Sequence, residues 1–367
     1  MSAQFRRFFL PLNYPKSVTD DYIHHFSLQF VQGVCNAILG VLATRSLLAG
    51  YGVGDLHALP GAAAIQWCLR DGVGHLTSLA VVGFMSSSFD AYCKQWRLLA
   101  DVMNDIGLTL ELLAPIHPPL FFLCTCLAVS AKSISGIAGG CSRNQIMNHF
   151  ALRNNVGDVN AKSSSQGTVG NLLGLVIGMA VTWFLEDKRC VTQVLCIALL
   201  GCHIFCNWLS LHLTHMTSLN PYRLRALFDC WLRKEDCPRP AEVREPLLLG
   251  HWFRRMSPLG KSTRSGFKLC VASGEVDSSE AGYMDSMLTE KGYYVRKSES
   301  EGTVFITLHE RISGDSRVLL TALATAWQYA ENLSPESWKS FEKQMIEKGW
   351  NVNELLWDGP LRYYVTK

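Results

Sequence analysis

The sequence predicts a mostly α-helical protein, a polytopic helical membrane domain of about six spans, half-transporter-like in layout, followed by a small α+β soluble domain. Three observations carry that reading. Hydrophobic residues make up 48% of the chain, and the long apolar runs lie almost entirely between residues 26 and 215. Gly170, Gly174 and Gly178 recur every four residues in one apolar helix pattern. In water each such Gly costs a helix about 1 kcal/mol against Ala, whereas in a bilayer it lets helix backbones approach closely. From Ser265 onward, β-rich runs and amphipathic helices replace the apolar pattern. The chain therefore divides into an N-terminal segment (1–25), a membrane domain (26–215), a basic linker (216–264) and an α+β domain (265–367).

In the first segment, Pro11 and Pro15 interrupt the apolar run that a signal peptide requires, so neither a cleaved signal nor a long transit peptide is expected. Crossing about 30 Å of hydrocarbon takes roughly 20 mostly apolar residues. The clearest spans are 28–50, 118–140, 168–186 and 190–213. A weaker one, 62–86, contains Arg70 and Asp71; the weakest, 104–117, carries Asp105 and Glu111 and ends at Pro115. Counting all of them satisfies the positive-inside rule. Arg6, Arg7 and Lys16, then Lys94 and Arg97, then Arg143, Arg153 and Lys162 fall on one face, while the loops YGVGDLHALP and PIHPP opposite have neither Lys nor Arg.

Past the last span, basic residues from Arg223 to Arg264 read either as a solvated linker, broken by Pro238, Pro240 and Pro246, or as a segment drawn to an anionic leaflet. Residues 267–272 and 303–310 read as strands, and 278–291, 315–331 and 335–348 as helices. The last helix has Ser334 as N-cap, Pro335 at its first position and Gly349 as its stop, with Trp338, Phe341 and Met345 on one face.

A net charge of +3 without an aromatic-interleaved basic surface excludes nucleic acid as the expected partner. The 13 cysteines are scattered and mostly apolar in context, which predicts reduced thiols rather than a disulfide framework. Cys202 and Cys206 are spaced i,i+4 without a second ligand pair, so no metal is expected. No phosphate loop, GxSxG, HExxH or paired CxxC occurs. Neither catalytic residues nor a cofactor are therefore assigned.

Three constellations of charge are candidates for function. Arg45, Arg70, Asp71 and Lys132 lie within apolar runs, where an ion costs about 2.5–3.5 kcal/mol and usually faces a cavity or a partner. They read as a polar pathway in which Asp71 pairs with Lys132 or an Arg, or as fixed pairs and helix-end residues. Asp90, Lys94, Arg97, Asp101, Asn104 and Asp105 alternate in sign at helical spacing between spans two and three, as solvated pairs or a breakable inner-face gate. Arg143, His149, Arg153, Asp158, Lys162, Ser165 and Gln166 suit an anionic head group or a phosphorylated solute, or form the surface of a helix connection.

The same stretches carry a resemblance. LPLNYPKSVTDDY (10–22), WCLRDGVGHL (67–76), SSSFDAYCKQWRLLADVMNDIG (86–107) and NHFALRNNVGDVNAKSSSQGTVGNLLGLVIG (148–178) are similar to the root UVB-sensitive protein family, which is defined by a domain of unknown function. Asn13 stands where that family's opening motif has Gly. The resemblance implies links to ultraviolet-B response and vitamin B6 homeostasis and, for plant members, to plastids; it implies no molecular activity.

The expected protein is thus a multi-pass membrane protein, in plastid, mitochondrion or another organelle, that transports or senses a small polar or anionic solute. A non-transporting membrane scaffold is the competing class. Membrane lipid and a second copy or a related family member are the expected partners, the latter joined through Gly170, Gly174 and Gly178.

Overall fold

The apolar runs fold as long helices because proline falls only at first helical turns or between helices. The computed structural model describes residues 3–53, 60–85, 88–186, 188–247, 268–271, 290–298, 303–309, 315–331, 334–356 and 363–364. They form two units: residues 1–89 with 93–215, and residues 90–92 with 216–367.

The first unit contains α1 (Ala3–Phe9), α2 (Tyr22–Gly50), α3 (Pro60–Met85), α4 (Cys93–Leu113), α5 (Phe121–Phe150), α6 (Val156–Phe184) and α7 (Arg189–Leu213). Among the described residues, α2, α5 with its preceding turn, α6 and α7 are long and apolar enough to cross a membrane. These are the four clearest runs of the sequence. The two weaker runs are also helical but fall outside that set. α4 starts earlier than the apolar run, so the charges from Lys94 to Asp105 sit on a helix, while Asp90 precedes it in a turn. Lys94, Asp101 and Asp105 are buried, which corrects the reading of solvated pairs.

α2 is the shared partner of α4, α6 and α7. Its contact with α6 rests on the glycine stripe, whose members are all buried. A Cβ added to Gly174 would stand 2.5 Å from Ala37 Cβ and 2.7 Å from the Val34 carbonyl oxygen; one on Gly178 would stand 2.9 Å from Val41 Cγ2. The close approach read as a contact between copies is therefore made to α2 of the same chain.

At the N-terminal turn, Asn13 has φ 61°, in the left-handed region. Gly adopts that conformation freely and Asn tolerates it better than most residues, which explains the departure from the family's glycine.

The second unit pairs β1 (Ser218–Leu219) in parallel with β5 (Asn351–Leu355). A second sheet has β4 (Thr303–His309) between β2 (Lys268–Val271, parallel) and β3 (Tyr293–Ser298, antiparallel), with β6 (Tyr363–Tyr364) also on β4. The helices are α8 (Pro221–Lys234), α9 (Ser316–Glu331) and α10 (Pro335–Glu347), the last capped by Ser334 Oγ accepting from the Ser337 amide at 3.3 Å. The expected helix over 278–291 lies mainly outside the described residues, as do Arg254, Arg255, Lys261 and Arg264 of the basic run.

Residues 216–247 correct the linker reading. Leu224, Leu227, Phe228 and Trp231 share one face of α8 and enter the core with Trp327 and Phe341. Phe228 stacks on Trp327 with ring centroids 4.1 Å apart. The charges drew attention to the segment, but its apolar spacing decides its place.

Gly174→Val should destabilise the first unit by about 1–3 kcal/mol through overpacking against α2. Gly201→Ala, where the added Cβ meets nothing within 4 Å, should be neutral or slightly stabilising. Thermal unfolding of both variants in one detergent checks the contrast.

Candidate functional site

Polar residues in the apolar α2 have a spacing of their own. Gln29, Gln32 and Asn36 follow at i, i+3 and i+7, which puts them on one face. Gln29 Oε1 accepts from Arg97 Nη2 at 3.1 Å, and Gln29 Nε2 donates to Ser210 Oγ at 3.0 Å. Gln32 Nε2 donates to Asp101 Oδ2 and lies 3.3 Å from His203 Nε2. Asn36 Oδ1 accepts from Asn104 Nδ2 at 2.8 Å. A continuous polar seam thus joins α2, α4 and α7.

Beside this seam, a cavity of about 360 Å³ opens between α2, α4, α5 and α6, a size at the lower end of small-molecule sites. His25, Gln29, Arg97, Ser135, Arg143, Ser163 and Gln166 supply its polar lining. Glycines make the space: a Cβ on Gly136, Gly140 or Gly167 would meet nothing within 4 Å, while one on Gly139 would stand 3.1 Å from Arg97 Nη1. Arg97 is paired with Asp101 across 3.4 Å. Arg143 donates to Ser163 Oγ at 2.7 Å and, among the described residues, pairs with no carboxylate. Two guanidinium groups therefore line the cavity, and among the described residues only Arg97 is paired with a carboxylate. An uncompensated cation among apolar helices is costly, and an anion with several acceptor oxygens is the ligand that relieves it.

The remaining sequence candidates go elsewhere. Lys94 Nζ donates to the Thr214 carbonyl, away from any gate. Asp158 Oδ2 accepts from the Leu12 amide at 2.7 Å, and Lys162 Nζ donates to the Arg7 carbonyl at 2.6 Å. Gln166 Nε2 donates to the Phe9 carbonyl at 2.6 Å while its residue also lines the cavity. The polar half of α6 thus holds the 7–12 segment. Lys162 and Asp158 are spaced i,i+4, but their atoms approach only to 3.9 Å.

The expected pathway of Arg70, Asp71 and Lys132 is not assembled. Asp71 pairs with neighbouring Arg70 at 3.3 Å, and Arg70 also lies over the Trp67 ring at 4.3 Å. Lys132 pairs instead with buried Glu111, an acidic residue that had been noted only as weakening a span. Arg45 reaches the Glu186 carbonyl at 3.5 Å. Sequence reasoning missed Gln29, Gln32, Ser163, His25 and His203 as members of a polar interior. The α2 spacing and the GIAGG run at 136–140 were the available signals.

The same motifs identify relatives. A family model described as the vitamin B6 photo-protection and homoeostasis domain matches residues 1–235. The chain belongs to the root UVB-sensitive family. "RUS family member 1" of Dictyostelium discoideum is 37% identical over 239 residues, which covers 64% of this chain and 45% of that protein. "Protein root UVB sensitive 3" of Arabidopsis thaliana is 32% identical over 235 residues, covering 64% and 53% respectively. "Protein root UVB sensitive 2, chloroplastic" from the same plant is 29% identical over 248 residues, covering 66% and 56%. The chain spans about half the length of the curated relatives it matches. No solved structure matches it. Membership brings the links to ultraviolet-B response and vitamin B6, and the four apolar helices fit membrane association.

Asp21 locks one end of this family domain. Its Oδ2 lies 3.0 Å from His149 Nε2 and accepts from the His215 amide at 2.7 Å, while Thr19 Oγ1 donates to Oδ1. Burial alone would raise the carboxyl pKa, but His149, Thr19 and the His215 amide together outweigh it and hold Asp21 well below the usual carboxylate range. Because the folded pKa is depressed, this stabilisation is complete above about pH 4, the unfolded value, and declines as pH falls further. Asp21→Asn should cost about 1–3 kcal/mol near neutrality. The gap in unfolding temperature between wild type and variant should narrow on acidification below about pH 4.

Proposed function

We propose that the first unit is a membrane-embedded recognition unit that binds a small phosphorylated solute between Arg97 and Arg143, and moves or senses it. The carrying observation is the cavity itself, which two guanidinium groups line, only Arg97 being paired with a carboxylate, Asp101, and three of whose four helices are of membrane length. Guanidinium forks with a hydroxyl donor match phosphate oxygens, and Arg97, Arg143 and Ser163 supply these here.

The family description names vitamin B6, and its phosphorylated forms are the ones that such a pair of guanidinium groups suits. A pyridoxal enzyme would need a lysine for covalent attachment of the aldehyde, and none lines the cavity. That favours reversible, non-covalent binding over catalysis on the vitamin. Exposed Leu172, Val176, Met179, Trp183, Val194 and Ile197 on α6 and α7 suit lipid as the surrounding partner.

Binding of pyridoxal 5′-phosphate to the purified full chain in detergent tests the reading. Arg143→Gln should weaken it by about 10- to 100-fold, the value of a charge-assisted pair. Gly136→Leu should do the same by taking up space at the cavity wall, where an added Cβ meets nothing within 4 Å. Asp71→Asn, outside the cavity, should bind as wild type does. Equal affinity in all these proteins, or none in wild type, overturns the proposal. Uptake into vesicles by wild type but not by Arg143→Gln then separates a carrier from a sensor.

A further inference from the structure

The imidazole of His25 lines the anion cavity, and its neighbours fix where its proton sits. Phe26 and Phe150 pack against the ring with centroids 5.3 and 4.9 Å away, and the residue is only 4% exposed. His25 Nδ1 lies 3.0 Å from Thr214 Oγ1. That hydroxyl spends its own hydrogen on the Ser210 carbonyl at 2.8 Å, and a carbonyl can only accept. Thr214 Oγ1 is therefore an acceptor toward the ring, and Nδ1 carries the hydrogen between them. Among the described residues His25 is in no ion pair with a carboxylate, while Arg97 and Arg143 line the same cavity. A third cation beside two guanidinium groups is unfavourable, so the ring takes its neutral form and Nε2 is a bare acceptor. Nε2 has no partner among the described residues and is open to the cavity that the residue lines.

One acceptor among several donors makes a site selective. Arg97, Arg143 and Ser163 supply donors to the oxygens of an anion. A lone pair facing an oxygen without a hydrogen repels it, whereas a P–O–H group donates to it. Resting on the anion reading above, we infer that His25 Nε2 selects an anion that carries a proton of its own, a hydrogen phosphate group, over tetrahedral anions that carry none. A phosphate monoester is then held in its singly protonated form. Its P–O–H donates to Nε2, its other oxygens accept from the guanidinium groups, and the proton stays on the phosphate. That form also brings one charge fewer into the apolar bundle. Thr214 is the positioning residue, because its hydroxyl keeps the ring hydrogen on Nδ1 and off Nε2.

Inorganic phosphate and sulfate are the probes, compared by titration calorimetry on the full chain in detergent at one pH near neutrality. The two share a shape, but phosphate keeps at least one hydrogen there and sulfate keeps none. Sulfate carries at least as much charge, so Coulomb attraction alone would favour it. Wild type should bind phosphate at least about tenfold more tightly, the value of one hydrogen bond to a charged group. His25→Phe, which keeps a ring between Phe26 and Phe150, should lose that preference by binding phosphate more weakly and sulfate no less tightly. If that variant does not fold, the wild-type preference measures the need for a donor, and the imidazole nitrogen resonances locate the acceptor. Phosphate, but not sulfate, should then shift His25 Nε2, and an unmoved Nε2 overturns the inference. Equal affinity of wild type for the two anions overturns it while leaving the anion site standing, as does a preference that survives in His25→Phe. Binding of neither anion overturns the anion site, and this inference with it.

Discussion

The guanidinium of Arg97 is held half-buried among the helices of the first unit, and a polar seam is arranged around that charge. Asp101 and Gln29 bind it directly, and Gln32 and Asn207 extend the contacts to α2 and α7. Gly139 leaves room for it on the side of α5. A lone cation in such surroundings would be expelled to the interface or lose its charge. The Asp101 carboxylate and the Gln29 amide oxygen accept from it and make its burial tolerable, and the neighbouring Arg143 then leaves the cavity with positive charge to spare.

α2 makes this arrangement possible. One face carries the polar residues that reach α4 and α7, and another meets the glycine stripe of α6. Glycine brings the two backbones close enough for α6 to present Ser163 and Gln166 to the same cavity. The packing device and the polar site are therefore consequences of one helix placed between its neighbours. The hydrogen bonds from Lys162 and Gln166 to the carbonyls of Arg7 and Phe9, with that from the Leu12 amide to Asp158, add the N-terminal segment to the same helix. The family's most recognisable stretch is thus the one that joins chain start, cavity and packing seam.

The second unit obeys different physics. Its core is aromatic, with Phe228, Trp231, Trp327, Trp338 and Phe341 in mutual contact, and it draws α8 from a segment whose charge and prolines resemble a linker. Arg223 is buried there with Glu245, Ser218 and their hydrogen bonds, so a basic residue counted toward a membrane-facing patch is an internal structural group. The Cys237 thiol, enclosed by the same core, is pushed up to about 12 by burial and kept in its inert, protonated form.

Local periodicity determined much about this protein from the sequence. Apolar runs of membrane length without internal proline gave α2, α5, α6 and α7, and Ser334, Pro335 and Gly349 bounded α10. Motifs in fixed order carried the kinship, and Arg143 and Gln166 were read toward an anion and Arg97 toward a gate, three residues that line one cavity. The partners were not legible. That Lys132 meets Glu111 and that the glycines face α2 both depend on how helices distant in sequence rotate against one another. A single helix turn fixes which residues share a face, but it is only when four helices pack that a face acquires a neighbour. Charge pairing, cavity and buried polarity are properties of that packing, and they were decided by the tertiary structure alone.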